Sequence, residues 1–373
     1  MRCLKISGWI IGCTLLAFSW TACALSAPPA QAIQDSIRKG VAFLKSSQSE
    51  DGIWTSPKSL GITALVTHAL LISDVPVSDD SVQRGLKQIE AAIQPDGGIY
   101  LPESTHKNYE TAIALLALTS ANADGRYNAP ISKAVAYLKE IQWDVKEAGD
   151  RSNLAFGGGG YGSHSRPDLS NTVFLLDALK AAGVSSHDEA MQNAIVFVSR
   201  CQNLSSPDNT TPFADKIQDG GFYYTPAAGG SSPAGTTPEG GLRSYGSMTY
   251  AGLRSMIYAG VTADDPRVQA AQNWIRRFYS LNENPGMGQS GLYYYYQTFA
   301  KTLDALGENQ FVDAQNVKHD WRVELAERLI SQQKENGSWS NETTRWYEGD
   351  PNLVTGYALM SLARCQSRPS DTK

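Results

Sequence analysis

Apolar residues recur along this chain in two alternating patterns. One is one-sided. Ile33, Ile37, Val41 and Leu44 fall at steps of three and four, as do Val82, Leu86, Ile89 and Ile93, then Ile131, Val135, Leu138 and Ile141. Val268, Ala271, Ile275 and Phe278 repeat it later. That spacing is one stripe of an α-helix, and charged residues such as Arg38 and Lys39 occupy the opposite side, so these helices belong on an outer surface. The second pattern has no polar side, as in Ile113-Ala-Leu-Leu-Ala-Leu118. A helix that is apolar all round must be enclosed by others.

Between the two patterns lies a repeated marker, glycine followed two places later by an aromatic. It occurs at Gly52-Ile-Trp54, Gly98-Ile-Tyr100, Gly159-Gly-Tyr161, Gly221-Phe-Tyr223, Gly291-Leu-Tyr293 and Gly337-Ser-Trp339. One such hit means nothing in a chain with 33 glycines; six, each leading into the same kind of helix, define a repeat. Thr63, Thr111, Thr172, Thr249 and Thr355 share a register, each followed at +6 and +7 by a small residue and a Leu or Met. The fifth unit fits this register with Phe299 in the threonine place. Gln48, Gln94 and Gln333 each stand six residues before the marker aromatic, where an amide can bond the free carbonyls at a helix end. The glycine supplies the left-handed backbone that ends a helix, and the aromatic can fold back onto the outer helix.

Outer helix, turn and inner helix, six times over, predict an all-α fold, an α6/α6 toroid. Closure removes the need for capping repeats; an open superhelix is the alternative. The segments Gln48-Ser-Glu-Asp-Gly-Ile-Trp54 and Gln333-Lys-Glu-Asn-Gly-Ser-Trp339 resemble the repeat motif of squalene-hopene cyclases. That superfamily includes the β subunits of protein prenyltransferases and the thioester domains of complement-like proteins. The resemblance spans residues 33–365 and implies the six-hairpin toroid with a central cavity. It does not imply one activity, since these relatives do unrelated things.

Composition adds a leader and removes some partners. Arg2 and Lys5 precede an apolar run, Trp9 to Leu16, and then small residues, which is the layout of an export signal over residues 1–32. Cleavage is expected after Ala24 or Ala32. A lipoprotein modified at Cys23 and an uncleaved membrane anchor are the alternatives. The toroid is expected over residues 33–367, with a polar tail at 368–373. The expected location is secreted or periplasmic, with no stable membrane span after signal removal. The net charge is -5, and removing the leader takes away Arg2 and Lys5 but no acid, which argues against nucleic acid as a partner. Cys201 and Cys365 fall at helix ends and read as buried thiols, with one bridge between them the alternative. No Cys-x-x-Cys or His-x-x-x-His pair occurs, so neither a metal nor a cofactor is expected.

In a ring, the loops that lead into the inner helices gather at one mouth, where helix N-termini favour anionic groups. Candidate ligand-cavity residues there are His106, Tyr109, Tyr161, Arg166, Asn171, Arg243, Tyr245, Tyr295, Tyr296, Trp346 and Asp350. Lys58, Ser59, Glu239, Tyr294 and Glu348 stand in the same segments. Asp168, His164 and Glu110 are the candidate catalytic groups. The plainest reading of Asp168 is a helix N-cap with Asn171 beside it, and of the Tyr293–Tyr296 run a piece of core. Where squalene-hopene cyclases carry Asp-x-Asp-Asp-Thr, this chain has Asp168-Leu-Ser170-Asn171-Thr172. An amide has no proton acidic enough to give an alkene, so the usual initiating acid is missing. The zinc ligands of the prenyltransferases and the Gly-Cys-Gly-Glu-Gln of thioester proteins are absent as well.

The expectation is an exported cyclase-like toroid that binds or transforms an apolar, polyisoprenoid-type small molecule without Asp-initiated cyclisation. One alternative is a non-catalytic envelope scaffold or protein-binding module. Another is a glycan-cleaving enzyme pairing Glu110 with Asp350, with Trp346 or Tyr161 as a sugar platform. The sequence indicates no particular protein partner.

Overall fold

The computed structural model describes residues 30–162 and 166–366. The expected export signal with Cys23, His164 and the tail therefore lie wholly or mostly outside the described residues. The helices are α1 (Ala30–Ser47), α2 (Leu60–Ile72), α3 (Asp80–Ala91), α4 (Lys107–Ser120), α5 (Asn128–Glu140) and the single turn α6 (Val145–Ala148). They continue with α7 (Leu169–Ala181), α8 (Glu189–Arg200), α9 (Gly246–Tyr258), α10 (Pro266–Arg277), α11 (Leu292–Leu306), α12 (Trp321–Gln332) and α13 (Pro351–Cys365). A small antiparallel hairpin, β1 (Phe311–Val312) and β2 (Lys318–His319), links α11 to α12.

The even-sided apolar segments became α2, α4, α7, α9, α11 and α13, and each packs against the next. The last of them, α13, packs on α2, which closes the ring. The one-sided segments α1, α3, α5, α8, α10 and α12 lie outside, over the inner helices. The fold is thus an α/α toroid. No described helix is long and apolar enough to cross a membrane. Cys201 and Cys365 are buried and free.

The threonine register has one structural meaning. Thr63, Thr111, Thr172, Thr249 and Thr355 each accept, through Oγ1, a backbone N–H of their own turn, at 2.9–3.2 Å from Trp54, Ile99, Gly159, Phe222 and Trp339. A buried turn N–H without such a partner would cost about 1–3 kcal/mol. The marker tryptophans fold back as expected: Trp54 Nε1 donates to Leu44 O of α1 and Trp339 Nε1 to Leu329 O of α12, both at 2.8 Å.

Two expectations about the turns need correction. Gln94 stays at its own helix end, bonding Ala92 O and Tyr100 O, whereas Gln48 and Gln333 reach further. Gln48 Nε2 bonds Gly52 O in its turn and Ser81 O at the start of α3, and Gln333 Nε2 bonds Gly337 O and Ser36 O of α1. Each therefore ties one repeat to the next, and Gln333 ties the last repeat to the first. Gln142, to Gly157 O and Ala190 O, and Gln202, to Gly220 O and Arg267 O, do the same. The fifth unit differs: Gly291, at φ 68°, begins α11, so Tyr293 lies in the helix and not in a turn. Phe299 accordingly sits a full turn beyond the threonine place, buried among aromatics. At the seam, Gly337 has φ 87° and a Cβ there would lie 2.4 Å from Lys39 O in α1, so no other residue fits so close an approach.

Candidate functional site

The N-termini of the six inner helices open on one cavity of about 700 Å³. Its floor is a row of aromatic rings from four helices. Tyr109 of α4 meets Phe174 of α7 edge-on at 4.9 Å, Phe174 meets Tyr294 of α11 at 6.1 Å, and Tyr294 meets Tyr357 of α13 at 6.0 Å. Tyr357 and Tyr109 lie close enough for each hydroxyl to affect the other's pKa, so the row bends back toward its start. Burial pushes Tyr109 and Tyr294 up to about 12 and Tyr357 well above the ordinary phenol value, so all three stay neutral donors. Tyr245, Met248 and Leu353 extend this surface.

The rim differs in character. Lys58, His106, Tyr161, Arg345, Trp346 and Tyr347 are exposed around it. The His106 ring stands edge-on to Tyr161 at 4.8 Å, and the Arg345 guanidinium lies 4.3 Å from the centre of the Trp346 ring. Trp346 and Tyr347 have φ of 56° and 64°. Two consecutive bulky residues in the left-handed region are costly, about 1–3 kcal/mol each, and the strain holds both rings at the opening. The Trp346 ring comes to 3.1 Å from where a Cβ of Gly291 would stand. The loop of Thr225 to Gly241 adds Ser231, Ser232 and Pro233 to the wall.

Two carboxyl groups reach the wall. Glu110 accepts the Leu101 N–H at 3.1 Å, and burial raises its pKa. Glu348 is 1 % exposed. It accepts the Tyr294 N–H at 2.8 Å and Asn341 Nδ2 at 2.7 Å. It thereby caps α11, whose own N-cap is a glycine with no side chain to offer. Burial nonetheless outweighs these hydrogen bonds and pushes it up to about 7.

The expected site residues divide. His106, Tyr109, Glu110, Tyr161, Asn171, Tyr245 and Trp346 come together in the wall. Asp168 does not reach it: the carboxylate sits one layer behind, caps α7 by accepting the Asn171 N–H at 2.9 Å, and accepts Asn171 Nδ2 at 2.8 Å. Burial pushes it up to about 6. Asp350 is also a cap, of α13, receiving the Asn352 and Leu353 N–H groups, so a Glu110–Asp350 pair does not form in the cavity. Tyr295 and Tyr296 point away from the axis and donate to Ser280 O and Leu281 O, each at 2.7 Å. Of four consecutive tyrosines on a helix only one can face the axis, and it is Tyr294. Arg166 and Arg243 are exposed outside the wall, the first over the Tyr224 ring and the second bonded to Thr236 O. Phe174, Tyr224, Arg345 and Tyr357 were not among the sequence candidates. Phe174 and Tyr357 each stand two places after a registered threonine, Thr172 and Thr355, and that register is the signal that could have found them.

Beneath the floor the ring axis is filled. Asp177 of α7 meets Arg254 of α9 and, at 2.8 Å, Lys301 of α11. The inner helices therefore are not apolar on every side, because their axis-facing positions carry paired charge.

No family model matches this sequence, and no curated protein matches it. Solved structures do resemble it. The type II terpene cyclase MstE from Scytonema shares 14 % identity at a TM-score of 0.53, covering 91 % of this chain and 99 % of that one. It has also been solved with geranylgeranyl dihydroxybenzoate as substrate. A protein from Actinoplanes shares 17 % identity at 0.52, covering 90 % of this chain and all of the other (100 %). A family 76 glycoside hydrolase, an α-mannanase from Bacteroides thetaiotaomicron, shares 12 % identity at 0.53, covering 89 % of this chain and 95 % of that one. The chain has the squalene-cyclase-like α/α toroid fold, which terpene cyclases and glycan hydrolases both use.

Proposed function

We propose that this toroid binds an amphiphile in its mouth, with an apolar, polyisoprenoid-type body on the aromatic floor and a polar or anionic head at the basic rim. The continuous aromatic row of Tyr109, Phe174, Tyr294 and Tyr357 carries this reading. Aromatic faces take up a hydrocarbon body through apolar contact, and a cavity of about 700 Å³ matches the size of a drug-sized or lipid-sized ligand. Asn171 Oδ1 is buried at the wall without a donor and the rim carries Lys58 and Arg345, which suits a ligand with a polar end. Binding is proposed rather than Asp-initiated cyclisation. Asp168 lies behind the wall with both oxygens occupied, and a carboxyl near pH 7 such as Glu348 is too weak an acid to protonate an alkene.

A second reading, glycan cleavage, is favoured by the two wall carboxyls with raised pKa and by the rings at the rim. Native mass spectrometry of the purified protein, followed by organic extraction, separates the two. A co-purified amphiphile, or saturable uptake of an added C20 polyisoprenoid acid, supports the first. Release of shorter sugars from mannan oligosaccharides, lost in Glu348→Gln, supports the second and defeats the first. Export is likewise proposed from residues 1–32; the intact mass of protein secreted by a host tests it.

A further inference from the structure

At the opposite end of the ring the C-terminal turns of α7, α9, α11 and α13 enclose a second cavity of about 300 Å³. Lys180, Tyr258, Lys301, Asp304 and Arg364 line it. We propose that this basal cavity is a binding site for a small oxyanion, phosphate or a carboxylate, separate from the mouth and independent of what the mouth binds.

Among the described residues that line this cavity, the cations Lys180, Lys301 and Arg364 stand with one acid, Asp304. Asp177 serves two cations, Arg254 and Lys301, and Asp304 is bound by Arg322 at 2.8 Å. Lys180 and Arg364 have no ion pair among the described residues. Arg364 donates one N–H, from Nη1 to Met360 O, while its Nε is buried with no hydrogen-bond partner. A guanidinium that lines a cavity and has no ion pair is suited to an oxyanion. Tyr258 adds a hydroxyl whose pKa burial raises, which keeps it a donor. The local field is felt by His68 of α2, held near 3 by burial and then by Lys301 and Arg364. Cations at helix C-termini also offset the helix dipoles. That role falls to residues of the last turn, such as Lys180 and Arg364, and it does not account for Lys301 lining the same cavity from within α11.

The probe is inorganic phosphate, titrated calorimetrically into the full chain at constant ionic strength with chloride as the balancing anion. The expected result is saturable single-site binding, weakened at least about tenfold by Arg364→Met, which removes a charge-assisted fork. Lys180→Ala, at an exposed helix end, leaves folding intact and weakens binding severalfold. Acetate and citrate in place of phosphate tell a carboxylate site from a phosphate site. Phosphate that gives no heat beyond the chloride control, or binding unchanged in Lys180→Ala and in any folded Arg364 variant, overturns the proposal.

Discussion

Asp177 on α7 holds Arg254 on α9 through two parallel hydrogen bonds, at 2.9 and 3.0 Å, and both side chains are almost wholly buried. Burial works against the Asp177 charge, but Arg254 and Lys301 more than offset it and keep its pKa below the ordinary carboxylate value. The cluster plugs the ring between the two cavities. Asp177→Ala leaves two buried cations unpaired and is expected to cost about 3–5 kcal/mol in chemical denaturation. Replacing all three charges together, Asp177→Leu with Arg254→Met and Lys301→Met, is expected to cost less than Asp177→Ala alone. A larger loss in the triple variant would show that the charges stabilise the ring in their own right.

Gln333 joins the last repeat to the first. It donates to Ser36 O at 2.9 Å and accepts from Ser36 Oγ at 2.9 Å. Gln333→Ala is expected to destabilise the fold by about 1–3 kcal/mol, comparable with Gln48→Ala at an interior turn. Urea unfolding of the two variants checks this. A silent Gln333→Ala beside a costly Gln48→Ala would mean that the seam is open in solution.

Glu348 binds its proton more tightly folded than unfolded, since burial lifts it from 4.5 to about 7. Stability from this group is therefore full below pH 4.5 and is lost as pH rises through 7, by about 3 kcal/mol at most. Asp168, lifted from 3.8 to about 6, acts in the same direction. Thermal unfolding across pH 4 to 8 should show a decline that Glu348→Gln makes shallower. An identical slope in the variant would place the titration elsewhere.

Asp168 caps α7 from behind the cavity wall. Asp168→Ala is expected to cost about 1–2 kcal/mol of stability, as the loss of a cap does. Asp168→Asn is expected to keep ligand affinity within about twofold, because the group does not line the cavity. A tenfold loss of affinity in a well-folded Asp168→Asn would return this residue to the site.

The repeat was legible because its parts are local. Thr63 and Trp54, or Thr355 and Trp339, sit a fixed short distance apart and bond each other's backbone. The glutamine rule was found where four residues separate Gln48 or Gln333 from its turn glycine. It was missed at Gln142 and Gln202, whose partners Gly157 and Gly220 stand 15 and 18 positions later. An inserted loop hides the spacing without disturbing the contact. The side of an inner helix that faces the axis is marked only by the sparse charges Asp177, Arg254 and Lys301, which the sequence reading did not use to orient the helices. Tyr294 stands two turns before Lys301 on the same face of α11, and that spacing is the signal that separates it from Tyr295 and Tyr296. Glu348 was visible as a mouth residue, but its cap on α11 joins segments 54 residues apart and leaves no local pattern.

The mouth cavity is the centre of this account, and one titration tests it. A C20 polyisoprenoid carboxylate, kept below its micelle concentration, is titrated into the wild-type chain and into Ser170→Trp, whose indole fills the space beside Tyr294. The account predicts saturable one-to-one binding by the wild type and a loss of at least about tenfold in the filled variant, since a blocked pocket forfeits the ligand's buried apolar contact. Equal affinity in both proteins, or no saturable binding in either, would contradict it.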